Sequence, residues 1–144
     1  MNIRAVRPAE YEDVRQLLSR CGWTSKVADP EMFRQSIRNS QIALVAEAEG
    51  RVVGFLRAIT DGTFNGYISM VAVEQQHRGQ GIGSALVSAA TGSNPNITWV
   101  LRADRPGVCA FYESLGFTVS EAAMEKLRTL NSFQINQQAH DHQK

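Results

Sequence analysis

The sequence predicts a mixed α/β fold, a twisted sheet of about six to seven strands flanked by about four helices. Three observations predict it. Stretches of strand and helix periodicity alternate in the order β-α-α-β-β-β-α-β-α-β-β. Tyr67 to Val73 is almost continuously apolar, as a central strand covered on both faces requires. A basic, glycine-rich turn follows that strand and opens a helix at Ile82.

The elements follow in order. Met1 to Val6 sets apolar Ile3 among polar neighbours and ends before Pro8, which reads as a short strand. Tyr11, Val14, Leu17, Leu18 and Cys21 recur at helical spacing until Gly22. Asp29, Pro30 and Glu31 form an N-cap, a first-turn proline and a first-turn acid, so a second helix begins there, with Phe33 and Ile37 facing inward. Gln41–Ala48 and Arg51–Ile59 read as a hairpin around Glu49 and Gly50. Asp61, Gly62, Asn65 and Gly66 make a second tight connection into the strand Tyr67–Val73. After the glycine turn and its helix, Ile97–Arg102 is rich in β-formers. Val108, Phe111, Tyr112 and Leu115 then form a helical stripe closed by Gly116. Phe117–Ser120 and Ala122–Leu127 are expected as two further strands.

The chain has 144 residues, 43% apolar, with a formal net charge of +1. That length suits one domain, expected over 1–130, followed by a polar, mobile tail over 131–144. The balanced charge points neither to nucleic acid nor to a membrane surface. Two cysteines, Cys21 and Cys109, make no disulfide framework and lack metal-ligand spacing, which fits a reducing cytoplasm. Cys109 is expected to pack in the interior. No apolar leader or membrane-length run is present in the sequence. His140 and His142 read as part of a solvated tail rather than a metal site, and His77 as an exposed loop residue.

The turn from Glu74 to Ser84 carries the chemistry. Bare backbone N–H groups at a helix N-terminus attract anions, and Gly79, Gly81 and Gly83 remove side chains that would keep a phosphate away. Arg78 can add a full charge. A P-loop would need a lysine followed by a hydroxyl residue, and neither is present. A dinucleotide fold would need a third glycine where Ser84 stands, in the first strand–helix unit rather than this late one.

The run Arg78-Gly79-Gln80-Gly81-Ile82-Gly83 instead fits Arg/Gln-x-x-Gly-x-Gly/Ala. Together with Met70–Val73 before it and Ala110-Phe111-Tyr112-Glu113-Ser114-Leu115-Gly116-Phe117 after it, it resembles the GCN5-related N-acetyltransferase (GNAT) family. The similarity of element order runs from Ile3 to about Arg128 and includes the wording of small bacterial members. The resemblance implies two central parallel strands, Tyr67–Val73 and Ile97–Arg102, splayed around acetyl-CoA. It implies a pyrophosphate held by the backbone of Arg78, Gly79, Gln80, Gly81, Ile82, Gly83 and Ser84. The pantetheine arm would pair along Val71, Ala72 and Val73, one of whose N–H groups would polarise the thioester carbonyl. Tyr112 matches the family's proton donor to the departing thiolate and would also contact the co-substrate. No metal is implied.

For the base, Asp61 and Glu74 flank the first splayed strand, and a water chain is an equal alternative. Trp23, Phe33 and Phe64 are expected to line the acceptor pocket with Asn65 and Tyr67 as polar groups, a lining suited to an apolar or cationic amine. The activity implied is acetyl transfer from acetyl-CoA to a primary amine, of a small molecule, directly in a ternary complex. The alternatives are a non-catalytic acyl-CoA-sensing module, an enzyme using a longer acyl-CoA, or one acting on a protein amine. Homodimer formation through sheet edges or the C-terminal strand is common in the family and is implied with it.

Overall fold

The computed structural model describes residues 1–129. The tail read over 131–144, with His140 and His142, lies outside the described residues. Five strands form one sheet in the order β1 (Asn2–Ala5), β2 (Ile42–Ala48), β3 (Arg51–Thr60), β4 (Asn65–Val73) and β5 (Thr98–Leu101). The first three junctions are antiparallel and the β4–β5 junction is parallel. Four helices flank it: α1 (Tyr11–Leu18), α2 (Pro30–Arg38), α3 (Ile82–Thr91) and α4 (Val108–Glu113).

The two faces of the sheet carry separate cores. Val14, Leu17 and Leu18 of α1 and Phe33 and Ile37 of α2 pack on Val45, Phe55, Met70 and Ala72. Ile82, Leu86 and Val87 of α3, with Tyr112 of α4, pack on Ala46, Leu56, Ala58 and Ile68. Burial on both sides explains why β4 reads as an unbroken apolar run. The Asp29 carboxylate accepts the N–H groups of Glu31 and Met32 at 3.0 and 3.2 Å, which fixes the start of α2 as its sequence requires.

Among the described residues the strand count is five rather than six or seven. The described residues after Gly116 form no further strand. Glu121 to Lys126 is mostly Ala, Glu, Met and Lys, a composition with weak β preference. Val119, Met124 and Leu127 are 75%, 97% and 70% exposed, so no buried face rewards pairing there.

One irregularity shapes everything that follows. Arg57 pairs with Met70 and Ala58 with Ile68, so Ser69 has no partner on β3 and forms a β-bulge. A bulge bends its strand and increases its twist. The parallel ladder to β5 ends at Ile68 and Leu101, immediately before that bulge. Beyond it β4 continues to Val73 with its β5 side open.

Acid will test the polar ties around this frame. Arg4 bonds both Glu10 and Glu47, joining β1, the turn before α1 and β2. The Arg4 guanidinium holds the Glu10 carboxyl down at about 2. The turn amides of Asn65, Thr63 and Phe64 hold Asp61 at about 2. Both groups titrate lower when folded than when unfolded, so the unfolded chain binds more protons as pH falls. Their stabilisation is complete above the ordinary carboxylate range and is lost as pH drops toward about 2. The melting temperature should fall through that window, and Glu10→Gln and Asp61→Asn should flatten the slope in calorimetric scans.

Candidate active site

A cleft of about 650 Å³ opens where β4 and β5 part, bounded by the N-terminus of α3, the loop before α4, and α4 itself. Its long wall is Ile68 to Val73. Glu74 N–H bonds Val53 O at 2.8 Å, and strand alternation therefore turns the polar groups of Val71 and Val73 away from β3, toward the gap.

At one end lies the glycine turn. Gly79 and Gly81 have φ of 77° and 81°, in the left-handed region open to glycine, and a Cβ at either would meet nothing within 4 Å. The N–H groups of Gly79 to Ser84 make no hydrogen bond among the described residues, whereas Ala85 N–H bonds Gly81 O at 3.0 Å. Six consecutive amides without a partner among the described residues stand at the head of α3, donors of the kind that anions accept from. The fit is to an anionic oxygen ligand, and it rests on backbone alone. Gly79, Gly81, Ile82, Gly83 and Ser84 line the cleft, while Gln80 is exposed and lies outside its walls. Ile82 contributes only its backbone there, since its side chain is buried in the core.

Arg78 departs from expectation. Its Nε donates to Val73 O at 3.0 Å, so the guanidinium is folded back along the cleft wall rather than held out as a free charge. Cys21 Sγ also lies 3.6 Å from that carbonyl. The acceptor expected to pair with an incoming extended ligand is thus already engaged by the protein.

Tyr112 closes the opposite wall. It is 8% exposed and lines the cleft, with Phe111 and Phe117 edge-on at 4.9 and 5.5 Å between centroids. Its hydroxyl has no hydrogen-bond partner among the described residues. Burial raises its pKa above the ordinary phenol value, which keeps the proton on oxygen at neutral pH.

The carboxylates expected as bases are committed elsewhere. Asp61 accepts three turn amides at 2.8 to 3.0 Å, outside the cleft. Glu74 bonds Arg20 at 2.7 Å, and that guanidinium lowers its pKa. A carboxylate of lowered pKa is a poor proton acceptor for an ammonium. Glu74→Gln and Asp61→Asn should each leave turnover within about threefold of the parent, measured at saturating substrates. Asp104 is the one carboxylate among the described residues that line the cleft.

The expected acceptor residues divide. Trp23 lines the cleft. Phe33 does not: it is 2% exposed, buried beneath α2 in the core. Its i, i+4 pairing with Ile37 already placed both on the inner stripe, and that stripe faces the sheet. Phe64 is 65% exposed and, with Asn65, belongs to the β3–β4 turn. Tyr67 is half-buried and also outside the cleft walls. An aromatic cage for a cationic amine is not assembled, because Trp23 already holds cations: Arg105 at 4.1 Å and Lys26 at 5.5 Å from its ring.

Several cleft residues escaped the sequence reading. Arg105 stacks on Trp23 and donates to Cys21 O and Gly22 O at 2.8 and 2.9 Å, tying the loop before α4 to the turn after α1. In sequence it is one member of a Pro-Gly turn, with no signal beyond its charge. His77 is half-buried in the cleft wall rather than exposed, with Nδ1 buried and unpartnered among the described residues. Cys109 is exposed rather than interior. Among the described residues no group of three His, Cys, Asp or Glu is placed to hold a metal, and no helix is long and apolar enough to cross a membrane.

A mixed sheet whose parallel pair parts beside a helix-capping glycine turn is the arrangement that the resemblance to the GNAT family implied, and comparison with known proteins agrees. A family model for the acetyltransferase (GNAT) domain matches residues 39–119. An acetyltransferase of Sodalis glossinidius is 33% identical over 132 residues, covering 86% of this chain and 92% of that protein. One from Pectobacterium atrosepticum is 34% identical over 125 residues, covering 81% and 87%. The solved structure of a GNAT-family acetyltransferase from Streptococcus pneumoniae superposes with a TM-score of 0.72 at 25% identity, covering 91% of this chain and 96% of that one. The chain belongs to the GNAT acetyltransferase family, and its class of chemistry is acyl transfer.

Proposed function

We propose that the chain transfers the acetyl group of acetyl-CoA to the primary amine of a small molecule, directly, in a ternary complex. One observation carries the proposal: one cleft is lined by Gly79, Gly81, Ile82, Gly83 and Ser84, whose amides have no partner among the described residues, by the open side of β4 and by Tyr112. The amides and the α3 dipole bind the pyrophosphate. Val71 and Val73 present backbone groups to the pantetheine arm, and a β4 N–H in the gap stabilises charge on the thioester oxygen. For Val73 O to take part, the Arg78 guanidinium must give up its bond to that carbonyl.

The remaining chemistry is bond exchange and proton transfer. The acceptor ammonium gives one proton to solvent, with Asp104 at the cleft wall as an additional acceptor, and the neutral nitrogen then forms the new bond to the acyl carbon and loses its second proton to water. The carbon–sulfur bond breaks, and Tyr112 gives its proton to the departing sulfur and recovers one from water. A small acceptor is favoured because Trp23, Arg105 and Pro106 line the same cleft of about 650 Å³ as Ser69.

The test is thiol release from acetyl-CoA in the presence of a broad amine panel. Amine-dependent release is expected. Tight coenzyme A binding with no amine-dependent release would mark a sensing module instead. Faster release from longer acyl-CoA donors would reassign the acyl group, and acetylation confined to protein substrates would reassign the acceptor.

A further inference from the structure

Two cations adjoin residues that line the cleft without lining it themselves: Arg57 bonds Ser69, and Lys26 lies over Trp23, with Asp104 as the one carboxylate among the described lining residues. Ser69, the bulged residue of β4, lines the cleft, and its hydroxyl accepts Nη1 of Arg57 at 2.7 Å. Nε of Arg57 goes to Ser40 Oγ at 2.7 Å and to Ser36 O at 3.2 Å. Every one of these acceptors is neutral, and Nη2 has no partner among the described residues. Lys26 Nζ sits 5.5 Å over the Trp23 ring and forms no ion pair among the described residues. Burial holds the Lys26 ammonium below its ordinary pKa, and Arg128, Arg102 and Arg57 act in the same direction. Asp104 opposes them. Trp23 Nε1 is buried and unpartnered among the described residues, a further donor in the same wall.

Arg4, Arg15, Arg20, Arg34, Arg38 and Arg102 each have a carboxylate partner, whereas the side chains of Arg7, Arg51, Arg78 and Arg105 have none among the described residues. Those pairs are mostly on the surface, where a lone charge would cost little. Arg57 and Lys26 are half-buried, where an uncompensated cation is costly. A site that keeps such charges unpaired beside a cleft is built for an anion that arrives from outside.

Building on the acetyltransferase reading, we propose that the acceptor amine also carries an anionic oxygen group, a carboxylate or a phosphate, recognised by Arg57 and Lys26 at the Ser69 end of the cleft. The amine would lie toward Tyr112 and the anionic group toward β3. This replaces the apolar or cationic acceptor that the aromatic residues suggested.

The test is equilibrium binding, which needs no turnover. Full-length protein, with and without saturating coenzyme A, is titrated calorimetrically with a panel of N-acetyl amino acids. Each is paired with its C-terminal amide, and N-acetyl-phosphoethanolamine is paired with N-acetylethanolamine. At least one acid or phosphate should bind about tenfold or more tightly than its neutral partner. The ratio should collapse toward about one in Arg57→Gln and in Lys26→Gln, with coenzyme A affinity unchanged. Lys26 is in a loop, so its variant tests the idea even if Arg57→Gln does not fold. The carboxylate and phosphate arms separate the two sources of charge. Neutral partners binding as well as the anions, no binding of any anion, or an anion preference that survives both substitutions would each overturn the proposal. Failure of the acetyltransferase reading is seen separately, as absent coenzyme A binding or absent thiol release.

Discussion

Replacing Tyr112 by phenylalanine should lower kcat about a hundredfold, or about 2.7 kcal/mol, with acetyl-CoA affinity almost unchanged. The ring is held on two sides by Phe111 and Phe117 and is 8% exposed, so phenylalanine keeps the packing. The hydroxyl has no partner among the described residues, so its removal orphans none of them. What is lost is a proton positioned at the cleft wall. Because burial raises the Tyr112 pKa, the hydroxyl stays protonated across neutral pH. The rate should therefore rise with pH as the acceptor amine loses its proton, and should not fall until the phenol itself ionises, above the ordinary phenol range. Stopped or steady-state kinetics at saturating substrates decide the matter. An unchanged kcat in Tyr112→Phe would remove Tyr112 from the chemistry.

The second large effect is structural. Gly66→Ala should destabilise the fold by about 2 kcal/mol or more. A Cβ there would lie 2.4 Å from two atoms of the Trp99 ring. Gly66 and Trp99 face each other in the parallel ladder, which is only four pairs long, from Asn65–Thr98 to Ile68–Leu101. The ring cannot swing aside freely, since it packs against the α3-side core. Displacing it loosens β5 and with it one wall of the cleft, so acetyl-CoA affinity should fall together with the melting temperature. Trp99→Leu in the Gly66→Ala background should recover part of the loss, and the double-mutant cycle should show coupling. Full additivity of the two substitutions, or no loss in Gly66→Ala, would mean the ladder is not under this steric control.

Much of the fold was legible because its signals are local. The proline and acid after Asp29, the apolar stripes of α1 and α4, and the Glu49–Gly50 turn each state their conformation within a few residues. The glycine turn at the head of α3 was legible for the same reason: glycines that free a backbone are visible in a string of letters. The final strands were misjudged because Phe117 to Leu127 contains enough apolar residues to suggest strands, yet strands exist only where an edge and a buried face receive them. The acceptor end was misjudged more thoroughly. Phe33 looked like a pocket aromatic but fills the core, and the base candidates Asp61 and Glu74 are bound by a turn and by Arg20. Arg57, Lys26 and Arg105 gave no warning, since an isolated basic residue in sequence is indistinguishable from a solvated one.

By itself, the sequence determined the order of elements as far as α4, the two-sided burial of β4 and the glycine turn at the head of α3. These follow from periodicity and from side chains that are absent, which neighbours cannot alter. Only the tertiary structure decided where β4 and β5 separate, because the bulge at Ser69 is a mismatch between two strands and belongs to neither alone. It also decided which charges are paired. Arg57 and Lys26 have no carboxylate partner among the described residues because of what the fold places around them, and the proposed anionic acceptor would supply one.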